Sequence, residues 1–437
     1  MKPRASLTVL ALLAACLLGA ARNGPARNAI LFIGDGMAIS TLTAARVHAA
    51  GPSGRLALEL PHVALVRTHS LDRLVTDSAA SATAILAGER VSSGVLGMSP
   101  ETKRSCSIPK RRDGSVNPLH PCASAAAPIP SLGELAAQAG MAVGVVTTTR
   151  VTHATPAALY AHVDEREREA DIAAQLVQQP GLNFVVGGGR RFFKPASWQG
   201  LFVPGGVRVD GRDLLVELRE KGVAVPENGE ALRAAVGAGA ERIVAVLTDD
   251  HFPYVSESSD VPSLAELTEL AIRQLSRSEK GYFLLVEGGR IDHAQHENRA
   301  PEMLGEMRAF DEAVASARRL TDEKDTLILV TADHSQPLVI AGYALVDDSI
   351  LGQARGHGIG RKDADGDGKP DLLRASNGEP FSTLLFANGP RSALRLPYAT
   401  HEGSDVVATA VGPGAERVRG FLDQVELFSV LRTALGL

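Results

Sequence analysis

The sequence predicts an α/β protein: a three-layer sandwich with a mostly parallel central sheet, helices on both faces, and a metal site at the carboxyl ends of the strands. Short apolar runs alternate with amphipathic stretches, as expected of strands buried on both faces by crossover helices. Several runs lead directly into hard oxygen or imidazole groups, at Asp35, 147–153, Glu287 and Asp333-His334. Ligands of such sheets bind beyond the carboxyl ends of the strands. Aromatic residues make up only 4% of the chain, so the core must come from alanine and the branched aliphatics.

In chain order, the strand-like runs are 29–33, 63–68, 142–148, 184–186, 243–247, 282–286, 326–330 and 383–386. Helical patterns fall at 132–139, 172–179, 263–275 and 302–320. A chain of 437 residues could hold about two or three average domains, but sheets of this kind often form one. The expected organisation is one catalytic domain over 28–437, with an irregular Gly- and Asp-rich insertion over the site at about 336–400.

Lys2 and Arg4 precede an apolar stretch, 7–21, that is short for a membrane span and ends in small residues. It reads as a secretory signal over 1–21, not a transmembrane anchor, so the protein is expected to be exported, periplasmic or extracellular. Leu13-Ala14-Ala15-Cys16 also matches the signature for cleavage before a lipidated cysteine, an alternative that would anchor the protein to a membrane. Losing the signal lowers the basic count from 45 to 43 against 50 acids, a net charge of −7, which argues against nucleic acid as a specific partner. In an oxidising compartment Cys106 and Cys122 are expected to form a disulfide closing the loop 100–130; two free thiols are the alternative.

The run 29–33 leads into Gly34-Asp35-Gly36, whose glycines allow a tight turn around a carboxylate. Asp77-Ser78 opens a helical stretch, placing Ser78 where free N–H groups and the helix dipole favour an anion. Simple capping by Asp77 or Ser78 is the competing role. His153 and Thr155 are two apart and would share a face in extended backbone. Arg166 lies in the charged run 164–169, either a solvated face or a guanidinium that grips two phosphate oxygens. Asp292 and His296, four apart, fall on one face of a helical turn, while Glu287, Asp333-His334 and His401 add further donors. Divalent metals take such mixed O/N sets, and a catalytic site leaves a position open for substrate.

With these motifs in this order, the chain resembles the alkaline phosphatase family over nearly its whole length from about residue 28. That resemblance implies two zinc ions and one magnesium ion beside a serine nucleophile. By motif, Asp35, Ser78, Asp333 and His334 would hold the second zinc, and Asp292, His296 and His401 the first. His153, Thr155 and Glu287 would join Asp35 around the third metal, and Arg166 would grip phosphate. The family varies at His153 and His293, where some members carry aspartate and lysine. The histidine pair here leaves cobalt or zinc open as alternatives to magnesium. Many members have a further histidine near Gln336, outside the ligand set, and members are commonly homodimers.

The expected function is therefore an exported, metal-dependent phosphomonoesterase acting on phosphate monoesters through a phosphoserine, with release of inorganic phosphate. A phosphodiesterase or sulfatase of the same superfamily and a non-catalytic phosphate-binding protein are the alternatives. Separately, Asp363, Asp365, Asp367 and Asp371 match positions one, three, five and nine of a calcium loop, with Gly368 at position six. Arg374 stands where its bidentate glutamate belongs, so a solvated acidic loop competes with calcium.

Overall fold

The computed structural model describes residues 25–102, 127–196, 206–257, 260–353, 355–356, 371–372, 382–386 and 399–437. The signal at 1–21 with Cys16, the Cys106–Cys122 pair, and Asp363, Asp365 and Asp367 lie outside them. Asp371 lies inside, where its carbonyl accepts the Gly356 N–H at 3.0 Å.

The strands are β1 (Asn28–Gly34), β2 (His62–Arg67), β3 (Ala142–Arg150), β4 (Leu182–Gly188), β5 (Ile243–Val246), β6 (Tyr282–Gly288), β7 (Thr326–Thr331), β8 (Leu338–Ile340), β9 (Leu384–Phe386), β10 (Val406–Val411) and β11 (Gly420–Asp423). Nine of them form one sheet in the order β11-β2-β10-β7-β1-β6-β3-β4-β5. Only β10 runs antiparallel to its neighbours within it. The run 383–386 is a strand as expected, but it pairs with β8 in a separate two-stranded sheet within the 336–400 segment.

Parallel strands need crossovers, and the helices supply them in two layers. Ile39–Ala50, Leu264–Leu275 and Ala300–Leu320 pack together in one, while Ser78–Ala87, Leu132–Gln138 and Gln424–Leu435 lie in the other. Ile30 to Ile33 of β1 are fully buried, and Phe32 meets Phe310 edge-on at 5.9 Å. Helix starts follow their sequence signals: Ser131 with Glu134, and Asp423 with Glu426, form capping boxes. Among the described residues, no helix is long and apolar enough to cross a membrane.

Register positions the site. Ile33 of β1 stands opposite Glu287 of β6 and Thr331 of β7, and Glu287 stands opposite Thr147 of β3. Four central strands thus end at one level, and the residues that follow them share one rim.

One buried acid away from the metal-ligand motifs has a measurable consequence. Glu306, 3% exposed, accepts the Val255 N–H at 2.9 Å, and burial pushes its pKa up to about 7. Because the folded value exceeds the ordinary one, the stability it allows is complete below about pH 4.5 and is lost as pH rises through 7. Glu306→Gln keeps the acceptor and removes the charge. Its melting temperature should vary less than the parent's between pH 5 and 8 and exceed it at pH 8, by roughly 2–3 kcal/mol of stability. A parallel pH dependence in the two proteins would refute this.

Candidate active site

Asp35 follows β1 and is fully buried; both of its carboxylate oxygens lack hydrogen-bond partners among the described residues. Gly36 turns the chain at φ +66°, and its N–H donates to Asp333 Oδ1 at 3.0 Å. A Cβ at Gly36 would come within 2.8 Å of Asp292 Oδ1. The glycine is therefore required by both its left-handed conformation and the approach of the acid.

Ser78 is the first residue of helix Ser78–Ala87, 2% exposed. The capping role belongs to Asp77, whose side chain accepts from Ala80 N–H at 3.2 Å and Gly94 N–H at 3.0 Å. That leaves the serine hydroxyl free of capping duty, and its Oγ lies 3.2 Å from His334 Nε2. The same nitrogen lies 3.4 Å from Asp35 Oδ1 and 3.3 Å from Asp333 Oδ2. Ser78, Asp35, Asp333 and His334 therefore converge on one point, the set expected from their motifs.

Asp292 and His296 lie on the short helix Arg290–His296, with Asp292 Oδ2 3.1 Å from His296 Nε2. His401 completes the group, its Nε2 3.0 Å from that of His296. Outer partners fix the rings: His296 Nδ1 meets the Ala399 carbonyl at 2.6 Å and His401 Nδ1 the Thr76 carbonyl at 3.0 Å. Burial alone would lower the pKa of His296, but Asp292 lifts it to about 9. Gln336 also belongs here, since its Nε2 donates to Asp292 Oδ1 and lies 3.4 Å from His296 Nε2. It was expected to lie outside the ligand set, and it contributes a donor to a ligand rather than a ligand atom.

Asp35, His153 and Glu287 form a third group, with donor atoms mutually within 4.8 Å. The expectation that His153 and Thr155 share a strand face is corrected. Strand β3 ends at Arg150, and His153 instead caps the turn Ala154–Ala157. The turn still brings the buried Thr155 hydroxyl near enough to lower the pKa of Glu287, alongside Thr147 and Thr149. Burial outweighs those hydroxyls and pushes Glu287 up to about 7.

Arg166 is not on a solvated face. It is largely buried, with Nη1 3.1 Å from Asp77 Oδ2 and Nη2 2.9 Å from His153 Nε2. His251, in the loop after β5, joins the neighbourhood of His153 although no motif marked it; its ring lies 5.6 Å from that of His153. As a lone histidine within an acidic loop, it offered no spacing signal.

The donor set fits cations. Burial raises Asp35 well above the ordinary carboxylate range, and the carboxylates of Asp333, Asp292 and Glu287 raise it further. Four acids and several neutral imidazoles gathered out of water are stable together when divalent ions compensate them.

Sheet and donor set together define a class, the metal-dependent enzymes of α/β architecture. Sequence comparison supplies the family: the alkaline phosphatase profile matches residues 26–437, and the chain belongs to the alkaline phosphatase family. It is 32% identical to the tissue-nonspecific alkaline phosphatase of Rattus norvegicus, over 91% of this chain and 82% of that relative. It is 33% identical to the Gallus gallus counterpart, with the same coverage. Among solved structures, the alkaline phosphatase of Thermus thermophilus superposes with a TM-score of 0.71 at 26% identity, covering 100% of this chain and 96% of that one. The alkaline phosphatase of the Antarctic bacterium TAB5 shares the fold with a TM-score of 0.71 at 23% identity, over 94% and 98% of the two chains.

Proposed function

We propose that this chain is an exported phosphomonoesterase that acts through a phosphoserine on Ser78. The observation that carries it is the position of Ser78 Oγ, at a helix N-terminus and 3.2 Å from His334 Nε2, amid the crowded carboxylates. Two zinc ions, at Asp292-His296-His401 and at Asp35-Ser78-Asp333-His334, and a third ion at Asp35-His153-Thr155-Glu287 would supply hydroxyl activation and charge neutralisation when bound.

Ser78 Oγ gives up its proton to water and attacks phosphorus in line as the ester P–O bond breaks, and the leaving alkoxide takes up a proton from water in turn, so none is gained or lost. Water then attacks the phosphoserine, returning one proton to Ser78 and releasing inorganic phosphate. Arg166 holds the equatorial oxygens, turned toward them by Asp77, and the helix N-terminus adds its dipole. Export rests on the 1–21 segment, and a homodimer rests on family likeness alone. The decisive experiment is turnover of a simple phosphate monoester with trapping of the phosphorylated enzyme, before and after chelation. Chelator-insensitive turnover would sink the proposal.

Arg166→Ala should raise KM by about 10- to 100-fold, the worth of one or two charge-assisted hydrogen bonds. Inhibition by inorganic phosphate should weaken in step, with measurable kcat kept at high substrate. Unchanged phosphate inhibition would remove Arg166 from the phosphate.

His153 bears on the third ion. Imidazole suits zinc or cobalt better than magnesium, which prefers oxygen ligands. An aspartate-for-histidine variant of the Antarctic enzyme has been solved with Mg bound in its M3 site. His153→Asp should likewise shift maximal activity of reconstituted apo-protein from zinc plus cobalt toward zinc plus magnesium. An unaltered metal preference would show that His153 is not a ligand.

A further inference from the structure

The wall beside His153 holds side chains for which the phosphoserine mechanism has no use. His153, His251 and His293 meet edge to face, with ring centroids 5.6, 5.6 and 4.4 Å apart. A different guanidinium meets each ring. Arg166 Nη2 lies 2.9 Å from His153 Nε2, Arg290 Nη1 lies 2.8 Å from His293 Nδ1, and Arg150 Nη1 bonds to His251 Nε2. Three clustered imidazoles would suit a transition metal. Here, however, a cationic N–H meets each ring, and the Arg150 and Arg290 guanidiniums beside His251 and His293 disfavour a cation among these rings other than the one proposed at Asp35-His153-Thr155-Glu287. The fixed positive charge of this wall is that of its three arginines.

Two of those arginines are compensated. Arg150 pairs with Glu169 and Asp250, each at 2.8 Å, and Arg166 pairs with Asp77. Arg290 differs. Its guanidinium lies 3.8 Å from the Tyr254 ring centroid, and its Nε has no hydrogen-bond partner. Among the described residues no carboxylate forms an ion pair with it, and Glu306 feels its charge only from farther away. Arg290, His293 and His251 are all half-buried, so they remain partly open to solvent. The contacts Arg166–His153–His293–Arg290 set this charge one imidazole pair beyond the guanidinium that would hold the reacting phosphate.

We propose that Arg290, flanked by His293 and His251, forms a subsite for a second anionic group, carboxylate or phosphate, on the leaving portion of a phosphate monoester. This rests on the phosphomonoesterase proposal above. A half-desolvated guanidinium with no counter-ion binds a matching anion strongly, and it does so without touching the reacting phosphorus. It therefore selects among substrates through KM.

The test compares metal-loaded protein on glycerol 3-phosphate, 3-phosphoglycerate and 1,3-propanediol bisphosphate, which present no second anion, a carboxylate and a phosphate. The parent should favour one or both anionic esters by about tenfold in kcat/KM, mostly through KM, and added salt should erode that preference. The preferred ester identifies the group recognised. Arg290→Ala should abolish the preference while glycerol 3-phosphate stays within about twofold. Arg290→Gln, which keeps a donor toward His293 but no charge, should do the same and guards against a packing loss. A parent with no preference, or variants that weaken all three substrates equally, would overturn the subsite. Absence of glycerol 3-phosphate turnover in the parent would instead overturn the phosphomonoesterase proposal, and the subsite with it.

Discussion

Ser78→Ala is expected to leave bound metal essentially unchanged while removing nearly all monoesterase turnover, by on the order of 10³-fold or more. The substitution deletes one oxygen that is 2% exposed and does not disturb the helix start, because Asp77 makes the cap. Of the three groups around His334 Nε2, Asp35 and Asp333 remain. Elemental analysis of the purified variant beside initial rates separates the outcomes. Full metal content with near-normal rates would end the covalent mechanism, whereas full metal with lost rates supports it.

Asp292→Ala should abolish activity with every metal combination offered and lower the bound zinc by one equivalent. Asp292 lies between His296 and His401, at 3.1 and 3.8 Å, and among the described residues no other carboxylate takes part in that group. Loss of an outer-shell partner already costs roughly 10- to 100-fold in metal affinity, so loss of a ligand must cost more. The variant also leaves the Gln336 amide without its acceptor, adding a stability penalty of about 1–3 kcal/mol. Activity restored by excess zinc, cobalt or magnesium would show that Asp292 is dispensable as a ligand.

Most of the sheet was legible because its central strands are short, apolar and followed by glycine or polar residues. The runs 29–33, 282–286 and 326–330 match β1, β6 and β7 to within one or two residues at each end. The outer elements were less visible. Strand β10, Val-Val-Ala-Thr-Ala-Val, is small and only moderately apolar, and helix Ile39–Ala50 buries Thr41, Ala44 and Ala45 rather than a stripe of large residues. The motifs at Asp35, Glu287 and Asp333-His334 were readable because each joins a strand end to a donor. His251 and Gln336 were not, since their importance depends on loops that return from distant parts of the chain. The Thr155 face was misjudged because β3 gives way to a turn at Val151, which replaces period-two alternation with helical geometry.

The shared level at which β1, β3, β6 and β7 end also governs when the site can come into being. Asp35, Glu287 and Asp333 become neighbours only after strands from both halves of the chain have paired, and His401 arrives within the last tenth of the sequence. A nascent chain that lacks its C-terminal portion therefore lacks the groups that need Asp333, His334 and His401, and full metal loading should follow completion of the polypeptide. Such long sequence separations also make folding slow, because loop-closure entropy is spent before any ligand meets its partner. An ion held by Asp35 would clamp segments more than two hundred residues apart, so losing it should loosen the sheet's working rim well before the edge strands β5 and β11.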